Sequence, residues 1–307
     1  MTCLITERDP YRSRTGDVHS VLPRQVPVVY PGKDGQLWEG PLTLDQLQFF
    51  EENGYLVLPQ YFDENDLNRM WREKDRLIEE LDESDPRWIC EPESNALRSI
   101  YGLQQVSDVY ASLSRARKLA GAAQQILGSA VYIHQSRLNL KHGFEGREFF
   151  WHSDFETFHM EDGMPEMRAL SCCIALTENF EHNAPLMVIP GSHRVYIRCP
   201  EAKKSAAGNP LRRQEEGIPP NHLIQDLANS SGIKSLTGKP GTTVFFDANL
   251  LHGSGLNMTP YPRHNLFFVY NSVHNPLNAP YSGRPPRPLA ITHRVPEPLG
   301  IQTEEFL

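Results

Sequence analysis

The spacing of apolar residues changes from a helical to a strand-like period partway along the chain. Up to about residue 128, apolar positions recur every three or four residues, which predicts amphipathic helices. Beyond it, apolar and polar positions alternate in short runs separated by turns rich in glycine and proline, which predicts strands. Helices followed by a series of strands favour a helix-backed β-sandwich or barrel over alternating βαβ units.

The first predicted helix has the clearest boundaries. Thr43 and Gln46 have the spacing of a capping box, and Gly54 ends the pattern. A short strand at 55–58 and helices at 63–83 and 107–127 are predicted after it. Strands are predicted at 130–141, 168–177, 186–189, 242–247 and 265–270.

Two segments do not fit either period. Residues 1–40, rich in Pro, Gly, Arg and Asp, predict an irregular N-terminal arm. Residues 200–240 are long and polar, which predicts an active-site lid or a solvated insertion. Because no linker clearly divides the chain, one domain over residues 1–307 is the better interpretation.

Composition narrows the class of partner. The net charge of −8 and the pI near 5.8 argue against nucleic acid and against anionic membranes, because binding to phosphate needs concentrated Lys and Arg. No apolar run is long enough to span a bilayer, and the N-terminus lacks the apolar core of a signal peptide. Five scattered cysteines suit a reducing compartment. We therefore expect a cytoplasmic protein that acts on a small molecule.

Three residues have a spacing that suits a metal. His152 and Asp154 are two positions apart, so on an extended segment they point to the same face. His252 follows another apolar strand. Two imidazoles and one carboxylate leave about three open octahedral positions, which suits non-haem Fe(II) better than zinc. Spacing alone does not separate this site from ordinary polar residues among the twelve histidines.

Polar residues near this triad suggest an anionic ligand. Arg263 follows His252 by eleven residues, and a guanidinium binds a carboxylate in bidentate fashion; Ser254 adds a hydroxyl. A surface arginine is the alternative. On the strand at 130–141, Gln135, Arg137 and Asn139 share one face, but the sequence leaves open whether this face lies inside.

The segment FFWHSDFETFHMEDGMP at 149–165 resembles the signature of ectoine hydroxylases, a branch of the phytanoyl-CoA dioxygenase family of Fe(II)- and 2-oxoglutarate-dependent oxygenases. Further blocks resemble that family in the same order, so the resemblance covers most of the chain: LNLKHGFEGREFFWHSD, PLMVIPGSH, FFDANLLHGSG and NLFFVYNSV. It implies a mainly β fold with flanking helices around a double-stranded β-helix (jelly-roll, cupin-like) core. It also implies Fe(II), 2-oxoglutarate and O₂ as cofactor and co-substrates, and a homodimer at the family level.

The resemblance also assigns site residues. The implied iron ligands are His152, Asp154 and His252. The residues expected at 2-oxoglutarate are Asn139, Phe149, Ser254 and Arg263. Those expected around the substrate are Gln135, Arg137, Phe158, Ser171, Phe246 and Phe267. The other polar residues of the signature are expected to hold its shape through hydrogen bonds: Glu156, His159, Glu161 and Asp162.

The implied reaction is hydroxylation of ectoine to 5-hydroxyectoine, a compatible solute, with release of succinate and CO₂. The carboxylate of Asp154 favours hydroxylation, since halogenating relatives have a small residue there. Phe158 stands where ectoine hydroxylases usually have tryptophan, the stronger ring for holding a cation. This change keeps a second hypothesis open, the hydroxylation of another small zwitterion such as free proline. A non-catalytic jelly-roll binding protein is the third.

Overall fold

The computed structural model describes residues 9–16, 20–32, 34–201 and 216–302. Its strands are β1 (Val21–Pro23), β2 (Tyr55–Leu58), β3 (Trp88–Cys90), β4 (Leu97–Tyr101), β5 (Val131–Lys141), β6 (Phe149–His152), β7 (Ala169–Ala175), β8 (Leu186–Val188), β9 (Val195–Ile197), β10 (Lys234–Leu236), β11 (Thr243–Asp247), β12 (His252–Ser254) and β13 (Arg263–Ser272). Its α-helices are α1 (Leu44–Asn53), α2 (Glu64–Glu80), α3 (Leu103–Val106), α4 (Asp108–Ser114), α5 (Ala122–Leu127), α6 (Asp154–Thr157) and α7 (Asn221–Ser231). Short π-helical segments cover Arg117–Gly121 and Phe158–Asp162, and a 3₁₀ turn covers Ser192–Arg194.

Two antiparallel sheets form the core. The larger has seven strands in the order β2-β11-β7-β13-β5-β4-β3, and the smaller has four in the order β10-β8-β12-β6. Alternate residues of the larger sheet pack on opposite sides. Phe245 belongs to the cluster under the helices, whereas Phe246 packs with Val188 of the smaller sheet. The mainly β fold with flanking helices is confirmed.

The first helix begins and ends where its sequence predicts. The Thr43 side chain accepts a hydrogen bond from the Gln46 N–H, and the Gln46 side chain accepts one from the Thr43 N–H at 2.9 Å. Gly54 follows in the left-handed region with φ 77°, which favours glycine. The helix buries Leu47 and Phe50 against the sheet side.

The single helix predicted at 107–127 is wrong. The segment divides into α4, a π-helical turn and α5, because Ala116 takes an extended conformation with φ −56° and ψ 136°. There the backbone pairs with the C-terminal part of the chain: the Gln302 N–H donates to the Arg115 carbonyl at 3.0 Å. Helical spacing reports which side chains are buried, and it contains no information about such a distant backbone partner.

The irregular segments contain regular structure. Within the predicted arm, β1 pairs with β9, so an irregular backbone is wrong at Val21–Pro23. Within the predicted lid or insertion, α7 forms and β10 pairs with β8. Parts of both predictions, 1–8, 17–19, 33 and 202–215, lie outside the described residues. Of the described helices, none combines the length and apolarity needed to cross a membrane.

Candidate active site

Two neighbouring strands and a short helix bring the triad together. In the pairing of β6 with β12, His152 lies directly opposite His252, and their ring centres are 4.2 Å apart. Asp154 begins α6, capped by Ser153. Asp154 Oδ1 lies 3.6 Å from His152 Nε2 and 3.7 Å from His252 Nε2. The predicted convergence of these three residues is confirmed, and all three ligand atoms lie within 4.8 Å of one another.

Backbone carbonyls set which nitrogen of each histidine is free. His152 Nδ1 lies 2.6 Å from the Phe150 carbonyl, and His252 Nδ1 lies 2.9 Å from the Leu250 carbonyl. A carbonyl only accepts, so each Nδ1 carries the proton and donates it. The lone pair of each Nε2 therefore faces Asp154, which is the tautomer that a metal requires.

Burial and neighbouring groups keep His252 and Asp154 in the protonation states that bind a metal. Burial, together with the neighbouring His152, lowers the pKa of His252 to about 4. Burial would raise the pKa of Asp154, but its neighbours His252, His152 and Arg137 outweigh burial and hold this pKa well below its usual range. Ser171 Oγ donates to Asp154 Oδ2 at 3.0 Å and leaves Oδ1 toward the imidazoles. A neutral imidazole and an ionised carboxylate are the forms that bind a divalent metal.

A cavity opens beside the triad, with about 340 Å³ of space free of protein atoms including its mouth to solvent. Its lining residues come from both sheets: Arg137, Asn139, Phe149, His152, Leu186, His252, Gly253, Ser254, Arg263 and Phe267. All four residues predicted for 2-oxoglutarate are in this group. The polar face of β5 therefore turns inward, which answers the question that its sequence left open.

Arg263 gives this cavity an anion-binding end. It is 2% exposed, and its Nε has no hydrogen-bond partner within the described part of the chain. Burial lowers the pKa of Arg263 to about 10, so the guanidinium is still charged at neutral pH. Because an unpaired buried charge is costly, a carboxylate fits this position.

The residues predicted around the substrate occupy two environments. Arg137 donates to Gln135 Oε1, and its guanidinium lies 4.7 Å from the centre of the Phe267 ring at the cavity. Phe246 is fully buried with its ring 4.9 Å from that of His252. Ser171, also fully buried, is bonded to Asp154. The role of each in substrate binding stays a prediction.

Phe158 lies away from the lining of this cavity. It is 2% exposed and packs in a separate apolar cluster. The edge of its ring meets His134 at 4.7 Å between centres, and the Arg287 guanidinium lies 5.7 Å from its centre. His134 and Arg287 are in turn linked by Asp162, which is fully buried and bonded to both. A contact between Phe158 and the substrate stays a prediction.

The other polar residues of the signature form hydrogen bonds that fix its shape, as predicted. Glu156 accepts from Ser13 at 2.8 Å and from Arg14 at 2.8 Å. Arg14 also donates to Glu161 at 3.0 Å. His159 is bonded through Nδ1 to the carbonyl of Met164 at 2.7 Å. These contacts tie the helix that carries Asp154 to the N-terminal part of the chain.

Sequence reasoning missed Lys141, the last residue of β5. It is 1% exposed, and its Nζ donates to Ser254 Oγ at 2.9 Å. A signal was present, because residue 141 continues the odd-numbered face of Gln135, Arg137 and Asn139. A lysine at the end of a strand is more often exposed to solvent, so nothing in the sequence assigned Lys141 to the site.

The fold and the triad have counterparts among known proteins. The family model for phytanoyl-CoA dioxygenase matches residues 50–265. Ectoine dioxygenase from Bordetella bronchiseptica is 47% identical over 293 residues, which cover 94% of this chain and 93% of that protein. Ectoine dioxygenase from Stutzerimonas stutzeri is 42% identical over 304 residues, which cover 98% of this chain and 100% of that protein.

Solved structures agree with this relationship. The crystal structure of EctD from S. alaskensis with 2-oxoglutarate and 5-hydroxyectoine superposes with a TM-score of 0.87 at 41% identity, covering 98% of this chain and 100% of that one. The crystal structure of the same protein with bound Fe superposes with a TM-score of 0.85, at the same identity and coverage. The double-stranded β-helix expectation is thereby confirmed.

Proposed function

The chain belongs to the phytanoyl-CoA dioxygenase family, and we propose that it hydroxylates ectoine to 5-hydroxyectoine. In this reaction ectoine, 2-oxoglutarate and O₂ are consumed, and 5-hydroxyectoine, succinate and CO₂ are formed. One oxygen atom enters the hydroxyl group and the other enters succinate. The support comes from the ectoine dioxygenases that are similar over nearly the whole chain and from the site described above.

His152, Asp154 and His252 fit an iron ion, because their facing atoms are two neutral imidazole nitrogens and one carboxylate oxygen. Iron(II) bound there supplies, together with 2-oxoglutarate and O₂, the oxidant that replaces a C–H hydrogen of the substrate by hydroxyl. The protein residues bind and orient the two organic molecules. Arg263 and Ser254 bind the distal carboxylate of 2-oxoglutarate, with Asn139 and Phe149 beside it.

One observation carries the proposal: two guanidinium groups, Arg137 and Arg263, line the cavity beside the triad, and neither forms an ion pair within 4.0 Å with a carboxylate of the described residues. Two anionic groups are therefore expected in the cavity. One is the distal carboxylate of 2-oxoglutarate at Arg263. The other is the carboxylate of ectoine, a cyclic amidinium acid, at Arg137, with Gln135 and Ser171 close to it.

Aromatic side chains keep water from the reacting centre. Phe246 is fully buried, and Phe267 is 4% exposed and lines the cavity. Phe149 lies on the co-substrate side. Aromatic rings around a site exclude water, which strengthens the electrostatic contacts inside it and prevents side reactions. Phe158 packs in a separate apolar cluster and, on the family assignment, contributes to the recognition of ectoine.

The test measures succinate formation with Fe(II), 2-oxoglutarate and a panel of ectoine, free proline and related zwitterions. Ectoine is expected to be turned over fastest. Arg137→Met is expected to raise KM for ectoine about tenfold or more through loss of a charged hydrogen bond, with KM for 2-oxoglutarate little changed. Arg263→Lys, the matched variant at the other cation, is expected to raise KM for 2-oxoglutarate instead. Rapid turnover of proline without turnover of ectoine would refute the proposed substrate.

We also propose that residues 1–307 form one domain, because β2 and β11, about 190 residues apart, pair within one sheet. Cys172, Cys173 and Cys199 are buried thiols that form no disulfide, which supports the proposed cytoplasmic setting. A homodimer is proposed from the family alone. Light scattering during size-exclusion chromatography tests it, and the mass of a single chain would contradict it.

A further inference from the structure

A second buried cation lies directly opposite Arg263. Lys141 ends β5, Arg263 begins β13, and the two residues face each other across these strands. Lys141 is 1% exposed and Arg263 is 2% exposed. Like charges directly opposite each other destabilise a sheet, and burial increases that cost. Burial and the charge of Arg263 lower the pKa of Lys141, so an anion beside the pair is needed to keep both residues charged.

The protein does not supply the anion from the residues that the structure describes. Neither Lys141 nor Arg263 forms an ion pair with a carboxylate of the described residues. The nearby carboxylate of Glu91 is paired with Arg98 at 2.8 Å. The Nζ of Lys141 instead donates to Ser254 Oγ at 2.9 Å. Both Ser254 and Arg263 line the cavity beside the triad, so the missing anion is a ligand of that cavity.

The bond from Lys141 sets the direction of the Ser254 hydroxyl. With an anion bound beside it Lys141 is an ammonium group, which only donates, so the serine oxygen accepts and its own proton is free for another acceptor. Lys141 also donates to the carbonyl of Gly255 at 2.5 Å, which satisfies that backbone group and keeps it from competing for the proton. An oxygen of a carboxylate bound at Arg263 is the acceptor that remains.

We propose that Lys141 is a positioning residue of the co-substrate site. Through Ser254 it directs a hydroxyl donor at the distal carboxylate of the 2-oxo acid. Together with Arg263 it selects a dicarboxylic 2-oxo acid over a monocarboxylic one. This inference rests on the proposed function, since it takes 2-oxoglutarate to be the co-substrate.

The test uses the Fe(II)-loaded protein under anaerobic conditions without ectoine. Calorimetric titrations with 2-oxoglutarate are compared with titrations of 2-oxobutanoate, which has the same chelating end but no distal carboxylate. In Lys141→Met the Kd of 2-oxoglutarate is expected to rise about tenfold to a hundredfold, as for loss of a hydrogen bond to a charged group. The Kd of 2-oxobutanoate is expected to stay unchanged.

A double-mutant cycle tests the route through Ser254. Adding Lys141→Met to Ser254→Ala is expected to weaken 2-oxoglutarate binding by much less than the same change does in the unaltered protein. If the two substitutions weaken 2-oxoglutarate binding additively, Lys141 does not act through Ser254. Lys118→Met is the control, since Lys118 also donates to a backbone carbonyl, that of Tyr61 at 3.3 Å, and its Nζ lies 5.1 Å from the centre of the Phe62 ring.

Two results would overturn the proposal. One is an unchanged Kd of 2-oxoglutarate in a folded Lys141→Met protein, and the other is equal weakening of both 2-oxo acids. If the methionine variant does not fold, Lys141→Gln, which keeps an N–H donor but loses the charge, is titrated instead with the same criteria. Because ectoine is absent from these titrations, an error in the proposed substrate leaves their outcome unaffected.

Discussion

The hydroxyl of Ser171 determines how firmly Asp154 is held, and Ser171→Ala measures this directly. Ser171 lies on β7, fully buried, and its Oγ donates to Asp154 Oδ2 at 3.0 Å. The other carboxylate oxygen faces the two imidazoles. Without the hydroxyl, the carboxylate of Asp154 loses one fixed oxygen and gains freedom to rotate, so we expect weaker metal binding.

The size of the effect follows from the charge on the acceptor. A hydrogen bond to a charged group contributes about 1.5–3 kcal/mol. At about 1.4 kcal/mol for each factor of ten, this range corresponds to roughly a 10- to 150-fold change in affinity. Loss of a residue that orients a metal ligand typically costs about 10–100-fold. Both considerations predict that Ser171→Ala binds Fe(II) about 10- to 100-fold more weakly.

The assay is an anaerobic Fe(II) titration without 2-oxoglutarate or ectoine, followed by KM for ectoine at saturating iron. Ser136→Ala on β5 is the matched control. Its buried hydroxyl accepts from the Leu103 N–H at 2.8 Å and donates to Gln104, so its loss lowers Tm without reaching the metal site. Unaltered iron affinity would refute the reasoning, and a raised KM for ectoine beside it would leave Ser171 with a role at the substrate alone.

Three further outcomes are expected. Asp154→Ala should abolish ectoine-dependent succinate formation, since it removes the acidic member of the triad; persistent coupled turnover would contradict the triad. Asp162→Asn should cost about 3 kcal/mol of unfolding free energy at neutral pH, because it leaves the buried Arg287 guanidinium without its main partner. Burial would raise the pKa of Asp162, but Arg287 and then His134 outweigh burial and hold it well below its ordinary value. The stabilisation is thus complete above the unfolded pKa of about 3.9 and decreases below it, so denaturation curves of the two proteins should converge in acid. Phe158→Trp should tighten ectoine binding by about 1 kcal/mol in calorimetry, and unchanged affinity would count against ectoine.

Local signals in the sequence were sufficient for several elements. The capping box at Thr43 and the glycine at position 54 bound α1, because both act within one helical turn. Alternation predicted β5 to within one residue, since its two faces meet different environments. Spacing alone made the three triad residues candidates for metal ligands. The resemblance over most of the chain then distinguished them from the other polar residues.

Elements that depend on distant partners could not be predicted in this way. Phe149–His152 forms a strand by pairing with His252–Ser254, which pairs on its other side with β8, and neither segment has the alternation of a half-buried strand. The break at Ala116 depends on a backbone contact with Gln302. Lys141 is a buried basic residue whose burial we attribute to a ligand of the cavity, and neither that ligand nor the facing Arg263 is visible in its own neighbourhood along the chain.

The effect of Phe158 on substrate choice also depends on residues that are distant in the sequence. The family resemblance places this aromatic position at the substrate, but its ring is 2% exposed and lies between His134 and Arg287. An indole is larger than a phenyl ring, so in this packed place it must shift neighbouring side chains, and two of these, His134 and Arg287, are bonded to Asp162. If Phe158→Trp tightens ectoine binding and leaves Tm unchanged, the new ring reaches the cavity directly. If the affinity for ectoine changes together with a fall in Tm, the effect is transmitted by the hydrogen bonds of Asp162. Residues outside the cavity lining then determine the substrate preference of this chain.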